Sequence, residues 1–507
     1  MDYRHSVAWW GEAVFYQIYP RSFADASGDG VGDLRGITSK LDYLQVLGID
    51  AVWISPFFPS PMRDFGYDVS DYCDIDPVFG TLHDFDELVD EAHRRNIKVI
   101  IDWVPNHTSS DHPWFTESRS SRENPRRSWY VWRSLDEKGR LPNNWIRAWS
   151  DQPAWTRDDL TGEYYLHCFL ESQPDLNWDE PLVRQAMHNV LRFWLDRGVD
   201  GFRMDVVHLI GKELSRNDDP ELAALTHVIL NDVPIVHDYL REIRSVLDGY
   251  ADRVSVGEVA LFDPHQVATY YGQGDELHLS FNFKSLMTPW RASAWADLIR
   301  ETEETHAAVS AWPTWVLSNH DNPRIATRLG AIEERVRSAL VLLLSLRGTP
   351  FLYAGEELGL PDAEIPSERV VDPGGRDGCR SPIPWQQAPP FGWTDNPWLP
   401  FGTSAAERSV EAQLNDVHST WHFCRMLLQL RRSEPALLRG TVVGLEVRGD
   451  VMVFERHEGT SRLAVAVNFA DSHAEIPWST ETIAEWLLPA MPPAHLSSNG
   501  AVIVRLR

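Results

Sequence analysis

The sequence predicts an α/β protein: a (β/α)8 TIM barrel with a subdomain inserted after its third strand and an all-β domain at the C-terminus. Three observations predict it. Short, near-continuous apolar runs alternate with amphipathic helical stretches, which is the signature of a parallel sheet covered by helices. The alternation repeats eight times, which suits a closed barrel better than an open sheet. Finally, 507 residues exceed what one ordinary core accommodates, so smaller domains accompany the barrel.

The elements follow in order. "VFYQIYP" (14–20) is strand one and leads to a helix ending near Leu47. "DAVWISPF" (50–57) is strand two, and "LHDFDELVDEAHRRN" (82–96) is the helix behind it. "KVIIDWVPNH" (98–107) is strand three. Residues 108–170 then break the rhythm: they are rich in Trp, Ser, Arg, Asn and Pro, lack a clear helical period, and read as the inserted subdomain. The barrel resumes with the helix "PLVRQAMHNVLRFWLDRG" and strand four, "VDGFRMDVV" (199–207). A helix ending in "VHDYLREIRSVLDGY" precedes strand five, "RVSVGEVA" (253–260). "ELHLSFNF" (276–283) is strand six, followed by a Trp-bearing helix. "WPTWVLSNHD" (312–321) and "TPFLYAGEELG" (349–359) are strands seven and eight, with "EERVRSALVLLLSLRG" between them. The barrel thus occupies 1–107 and 171–439. From 440 to 507 the pattern changes to short alternating strands, "TVVGLEV", "VMVFERH", "RLAVAVNF" and "AVIVRL", a separate β-domain.

Composition narrows the function. A formal net charge of −27 argues against nucleic acid or an anionic membrane as partner. The N-terminus lacks the basic and apolar segments of a signal peptide. No run of about 18 apolar residues marks a membrane span. Four scattered cysteines (Cys73, Cys168, Cys379, Cys424) form neither a disulfide framework nor a metal motif, and fit a reduced cytoplasm. The 22 tryptophans serve either as core filling or as flat faces for sugar rings.

In such barrels the reacting groups sit at the C-terminal strand ends. Strand three ends with Asp102 and His107, strand four with Arg203 and Asp205, strand five with Glu258, strand seven with His320 and Asp321. A lone Asp at a strand end is usually a helix cap or a surface residue. Three strands converging carboxylates on one pocket point instead to a metal cage or to glycoside cleavage. Arg203, two positions from Asp205 and on the same face, favours the second: a guanidinium repels a cation but keeps a nucleophile ionised and fixes its rotamer.

"DWVPNH", "GFRMD", "GEV" and "SNHD", in this order, resemble the signature regions of the α-amylase superfamily, glycoside hydrolase family 13, and "QPDLNW" (173–178) resembles its fifth region. "FYQIYPRSF", "FGYDVSDY" and "GRDGCRSP" resemble its α-glucosidase and oligo-1,6-glucosidase branch. The resemblance implies a retaining, exo-acting α-glucosidase with Asp205 as nucleophile, Glu258 as acid/base and Asp321 as third carboxylate. It implies that Tyr67, Asp68, His107, Phe169, Arg203 and His320 surround the terminal glucose, and that Arg380 closes the pocket. An Asp68–Arg380 pair, from the loops after strands two and eight, would block any sugar beyond that glucose. Val206, next to the nucleophile, resembles enzymes acting on α-1,6 bonds.

"DASGDGVGD" places Asp25, Ser27, Asp29, Val31 and Asp33 at every second position with Gly30 at the sixth, the opening half of an EF-hand-like loop. A Gly-rich turn is the competing reading, since the distal Glu is absent. The resemblance implies a structural Ca2+ or Mg2+ there and no organic cofactor. Three alternatives stay open: a transglucosidase with the same covalent intermediate, a trehalose synthase, and a non-catalytic glucosidase-like domain such as a transporter heavy-chain ectodomain. The last loses catalytic carboxylates and carries a membrane helix. Expected partners are short oligosaccharides, with no nucleic acid or membrane, and the chain is expected to be a monomer or homodimer.

Overall fold

The computed structural model describes residues 8–215, 232–261, 263–479, 481–489 and 491–507. Residues 1–7, which open the stretch read above as no signal peptide, lie outside them.

Eight parallel strands form the barrel. They are β1 (Phe15–Ile18), β2 (Ala51–Ile54) and β3 (Lys98–Trp103), then, after the insertion with its short strands β4 (Trp132–Arg133), β5 (Trp155–Arg157) and β6 (Tyr164–Leu166), the strands β7 (Gly201–Met204), β8 (Val254–Gly257), β9 (Leu279–Ser280), β10 (Thr314–Val316) and β11 (Thr349–Tyr353). The pairing order is β10-β11-β1-β2-β3-β7-β8-β9. Strand β1 pairs with β11, so the first and last barrel strands meet as the closed-barrel reading requires. The seam between β9 and β10 has no backbone ladder. The Thr314 hydroxyl bridges it, donating to the Ser280 carbonyl at 2.7 Å and accepting from the Asn282 amide at 3.2 Å. The sequence reading gave strand six eight residues; β9 has two, because "ELHLSFNF" turns into a helix at Lys284.

Local chemistry fixes the helices behind the strands. In the helix Leu82–Arg94, Thr81 and Asp84 form a capping box that satisfies two amides at its start. Pro181 opens the helix Pro181–Asp196 at a position where its missing N–H costs nothing. Gly48, at φ 105°, ends the helix Leu41–Leu47 in the left-handed conformation that glycine adopts without a Cβ clash.

The insertion is more regular than its composition suggested. It contains a helix, Pro113–Ser120, and an antiparallel sheet in the order β4-β6-β5. Phe115 packs on Tyr130, Trp132 and Tyr165 with ring centroids 5.0, 5.7 and 5.1 Å away. The C-terminal sheet has five strands, β12 (Thr441–Arg448), β13 (Val451–Glu458), β14 (Ser461–Asn468), β15 (Ile483–Leu488) and β16 (Ala501–Leu506), in the order β12-β13-β14-β16-β15. Strand β15, at the sheet edge, escaped the sequence reading; its burial does not alternate along the strand. Thirteen of the 22 tryptophans are buried, and eight of these, Trp53, Trp103, Trp145, Trp178, Trp194, Trp295, Trp315 and Trp421, fully so.

Candidate active site

The strand ends of β3, β7 and β8 meet at one guanidinium. Arg203, 1% exposed, donates through Nη1 to Asp102 Oδ1 and Asp205 Oδ1, both at 2.6 Å, and through Nη2 to Glu258 Oε2 at 2.5 Å. Register explains the convergence: Asp102 pairs with Arg203 across β3 and β7, and Arg203 with Val256 across β7 and β8, so their side chains share the barrel interior. Burial pushes the Asp205 carboxyl well above the usual range; Arg203 opposes this, and the Glu258 and Asp102 charges reinforce it. Burial also raises Asp102, to about 6, against the pull of Arg203 and the Trp53 indole N–H.

After β7 the chain makes a tight turn at Val206, whose φ of 35° is rare for a β-branched residue. The turn aims the Val206 amide at Glu258 Oε2, 3.1 Å away. Glu258 Oε2 thus accepts from two donors.

Asp321 lies on the other side of the cavity. It accepts from Arg376 Nη1 at 2.9 Å and Arg380 Nη2 at 3.1 Å, and His320 Nε2 is 3.4 Å away. These neighbours hold its carboxyl well below the usual carboxylate range despite burial. His320 is fully buried, and burial lowers it to about 3, so it is neutral; its ring nitrogens meet Tyr67 Oη at 2.6 Å and Gln17 Nε2 at 2.7 Å. His107, lowered by burial to about 4, contacts Gln173 at 3.2 Å and the Phe169 ring at 5.0 Å.

Together these groups line a cavity of about 390 Å3 that includes Tyr67, His107, Phe169, Asp205, Glu258 and Asp321. Two expectations require correction. Asp68 does not face the cavity; it closes its own loop, accepting from the Ser60 hydroxyl at 2.8 Å and the Asp64 and Arg63 amides at 3.0 Å. Arg380 is fully buried behind Asp321 and Asp372, and also donates to the His320 carbonyl at 2.7 Å. The pair at the cavity wall is instead Asp64–Arg376, at 2.6 Å, with Arg376 also gripping Asp372 and stacked 4.5 Å from the Trp149 ring. Sequence reasoning missed Asp64, Arg376 and Trp149. "RDFGYD" offers two aspartates and "GRDGCR" two arginines, and only the fold of each loop decides which one points inward.

The loop 25–33 is satisfied by its own amides. Asp33 accepts from the Ala26, Ser27 and Gly36 amides, Asp25 from the Gly28 and Gly30 amides and the Ser27 hydroxyl, and Asp29 from the Val31 amide. Among the described residues no three His, Cys, Asp or Glu side chains come together to hold a metal. The donors are hard oxygens that suit Ca2+ or Mg2+, and a carboxylate oxygen accepting one amide keeps a second lone pair.

A parallel eight-stranded barrel with the carboxylates after β7 and β8 held by one arginine, and a third after β10 lining the same cavity, is the arrangement of a glycoside hydrolase. The model of the α-amylase catalytic domain matches residues 17–440. The chain is 42% identical to a probable alpha-glucosidase of Rhizobium meliloti (strain 1021), over 92% of this chain and 91% of that protein. It is 40% identical to an oligo-1,6-glucosidase of Parageobacillus thermoglucosidasius, over 91% of each. The crystal structure of the alpha-glucosyl transfer enzyme XgtA, 40% identical, superposes with a TM-score of 0.93 over 99% of this chain and 100% of that one. The chain belongs to the α-amylase superfamily, glycoside hydrolase family 13, in its α-glucosidase and oligo-1,6-glucosidase branch. No helix among the described residues is long and apolar enough to cross a membrane.

Proposed function

We propose that this enzyme is a retaining, exo-acting α-glucosidase that removes terminal non-reducing glucose from short oligosaccharides such as maltose and isomaltose in the cytoplasm. One observation carries the reading: the cavity wall holds the Asp64–Arg376 ion pair at 2.6 Å, next to Asp321. Fixed charges there offer bidentate partners to the outer hydroxyls of one glucose and leave no path for a longer chain. An endo-acting cleft needs that side open.

The proposed chemistry is double displacement. Asp205 attacks C1 as the glycosidic C–O bond breaks, and Glu258 protonates the departing oxygen. Water then attacks C1, Glu258 takes its proton, and Asp205 leaves. With Oε2 of Glu258 occupied by Arg203 and the Val206 amide, Oε1 is the oxygen that carries the proton. Two carboxylates held by the two arms of one guanidinium suit the ~5–5.5 Å separation of a retaining pair better than the ~6.5–9.5 Å of an inverting one. The reactive state has a proton on Glu258 and Asp205 ionised.

Maltopentaose tests the exo reading: glucose is the expected early product, and early maltose or maltotriose overturns it. The likeness to an alpha-glucosyl transfer enzyme supports a second reading, transfer of the glucosyl group to an alcohol or sugar. The covalent intermediate serves both.

A further inference from the structure

We propose that the leaving-group side of this pocket takes an apolar alcohol, aryl or alkyl, and that the enzyme transfers glucose to such acceptors in preference to a second sugar. The proposal rests on the α-glucosidase reading and names the aglycone class of the same site.

The cavity wall is chemically asymmetric. Around the position assigned to glucose stand Asp64, His107, Asp321 and Arg376. The loops after β8 and β9, which continue outward from Glu258, contribute Ala260, Leu261, Phe283, Leu286 and Met287 to the same cavity. Leu261 and Leu286 are 7% and 4% exposed and form a fixed wall, whereas Met287 is 68% exposed, at the rim. The Leu286 carbonyl is held by Arg328 Nη1 at 2.5 Å, which ties this loop down. Leu261 and Phe283 also line a small adjoining recess of about 30 Å3, half apolar (Pro264, Val267, Phe281) and half polar (Ser280, Asn282, Lys284, Thr302, His306).

Among the described residues, the Lys284 and Asn322 side chains on this wall are already engaged, while His208 Nε2, in the same cavity, has no partner. Lys284 Nζ is held by both oxygens of Glu301, at 2.8 and 2.9 Å. The Asn322 amide donates to Asn319 at 2.9 Å. A second sugar would place several ring hydroxyls against apolar surface without partners, which is unfavourable. An aryl or alkyl body gains from the same burial, and a Met side chain adapts to irregular shapes. Transfer needs nothing further: the acceptor oxygen attacks C1 of the glucosyl–Asp205 ester, its proton passes to the Glu258 carboxylate, and the C1–O bond to Asp205 breaks with the electron pair leaving on Asp205.

α-Glucosyl fluoride tests this, because fluoride is too small to touch the wall in question. The wild-type enzyme is given the fluoride with benzyl alcohol and glucose at equal concentration, and the ratio of benzyl α-glucoside to disaccharide is read by NMR. The expected ratio is at least ~10-fold in favour of benzyl alcohol, the order of discrimination an apolar pocket supplies. Leu286→Asn is expected to lower the ratio at least ~5-fold, and Met287→Gln, at the rim, provides the same readout should Leu286→Asn fail to fold. An even or sugar-favouring ratio, or hydrolysis with no transfer, overturns the acceptor proposal and leaves the hydrolase reading intact. Failure to turn over the fluoride at all overturns the α-glucosidase reading itself.

Discussion

Arg203 shows how much one residue decides here. Its guanidinium holds Asp102, Asp205 and Glu258 at 2.5–2.6 Å, so the two carboxylates proposed to react are positioned by one buried group. Replacing Asp205 by Asn or Glu258 by Gln is expected to lower turnover at least ~10³-fold with the fold intact, since each removes a covalent or proton-transfer role. Hydrolysis of p-nitrophenyl α-glucoside checks Asp205; Glu258 needs maltose, because nitrophenolate departs with little acid help. Near wild-type rates in either case would contradict the assignment. The two arginines of "GRDGCR" separate by role. Arg376→Ala opens the glucose end and is expected to raise KM for maltose and lower kcat/KM strongly. Arg380→Ala leaves Asp372 and Asp321 short of a buried partner and is expected to destabilise by about 3–5 kcal/mol. Parallel maltose kinetics and Tm on both variants decide it. A large Tm loss confined to Arg376→Ala would reverse the roles.

At the scale of elements, the site is assembled by turns more than by strands. The left-handed turn at Val206 aims an amide at Glu258, and the loops after β2 and β11 bring Asp64 to Arg376. The loop 25–33, after β1, is the element where a cation is proposed; Asp25, Ser27, Asp29, the Val31 carbonyl and Asp33 would have to converge on the ion, since their carboxylates do not come together in this structure. The loop contributes none of the reacting carboxylates, so a bound ion acts by stabilising the native state. Exhaustive chelation, with metal content verified, is expected to lower Tm while the rate at 25 °C changes little. An unchanged Tm would reduce the loop to the amide-satisfied turn described above.

For the whole molecule, burial of titratable groups sets the response to acid. Burial lowers His107, His208 and His306 to about 4 and His112, His278 and His320 to about 3. Their unfolded value is about 6.5, so as pH falls below it the unfolded chain binds protons that the native state refuses, and stability is lost. Asp102, Glu356 and Asp205 are raised and His237 is raised by Glu276; these bind protons first in the native state and act in the opposite sense. With His167 and His188 also lowered and Asp68, Glu357 and Asp362 also raised, eight lowered histidines narrowly outnumber the seven raised groups that oppose them among the described residues. Tm is therefore expected to decline gently from about pH 6.5 to 4 and steeply below, where the carboxylate gains end and the paired Asp321 and Asp372 begin to protonate. A Tm that rises over pH 6.5 to 4 would contradict this balance.

The sequence by itself determined the barrel, because apolar strand and amphipathic helix periods are local and repeat eight times. It also placed Asp205, Glu258, Asp321 and Arg203 at the strand ends, because strand-end position follows directly from the strand pattern, and the three carboxylates line one cavity. What it left open lies in loops: the direction of Asp64 against Asp68, of Arg376 against Arg380, the turn of Trp149 into the cavity, and the short β9 bridged to β10 by Thr314. These depend on hydrogen bonds between segments far apart in the chain, such as Arg376 to Asp64, 312 residues away. No local period encodes such contacts, so only the tertiary structure decides which of two neighbouring charges faces the substrate.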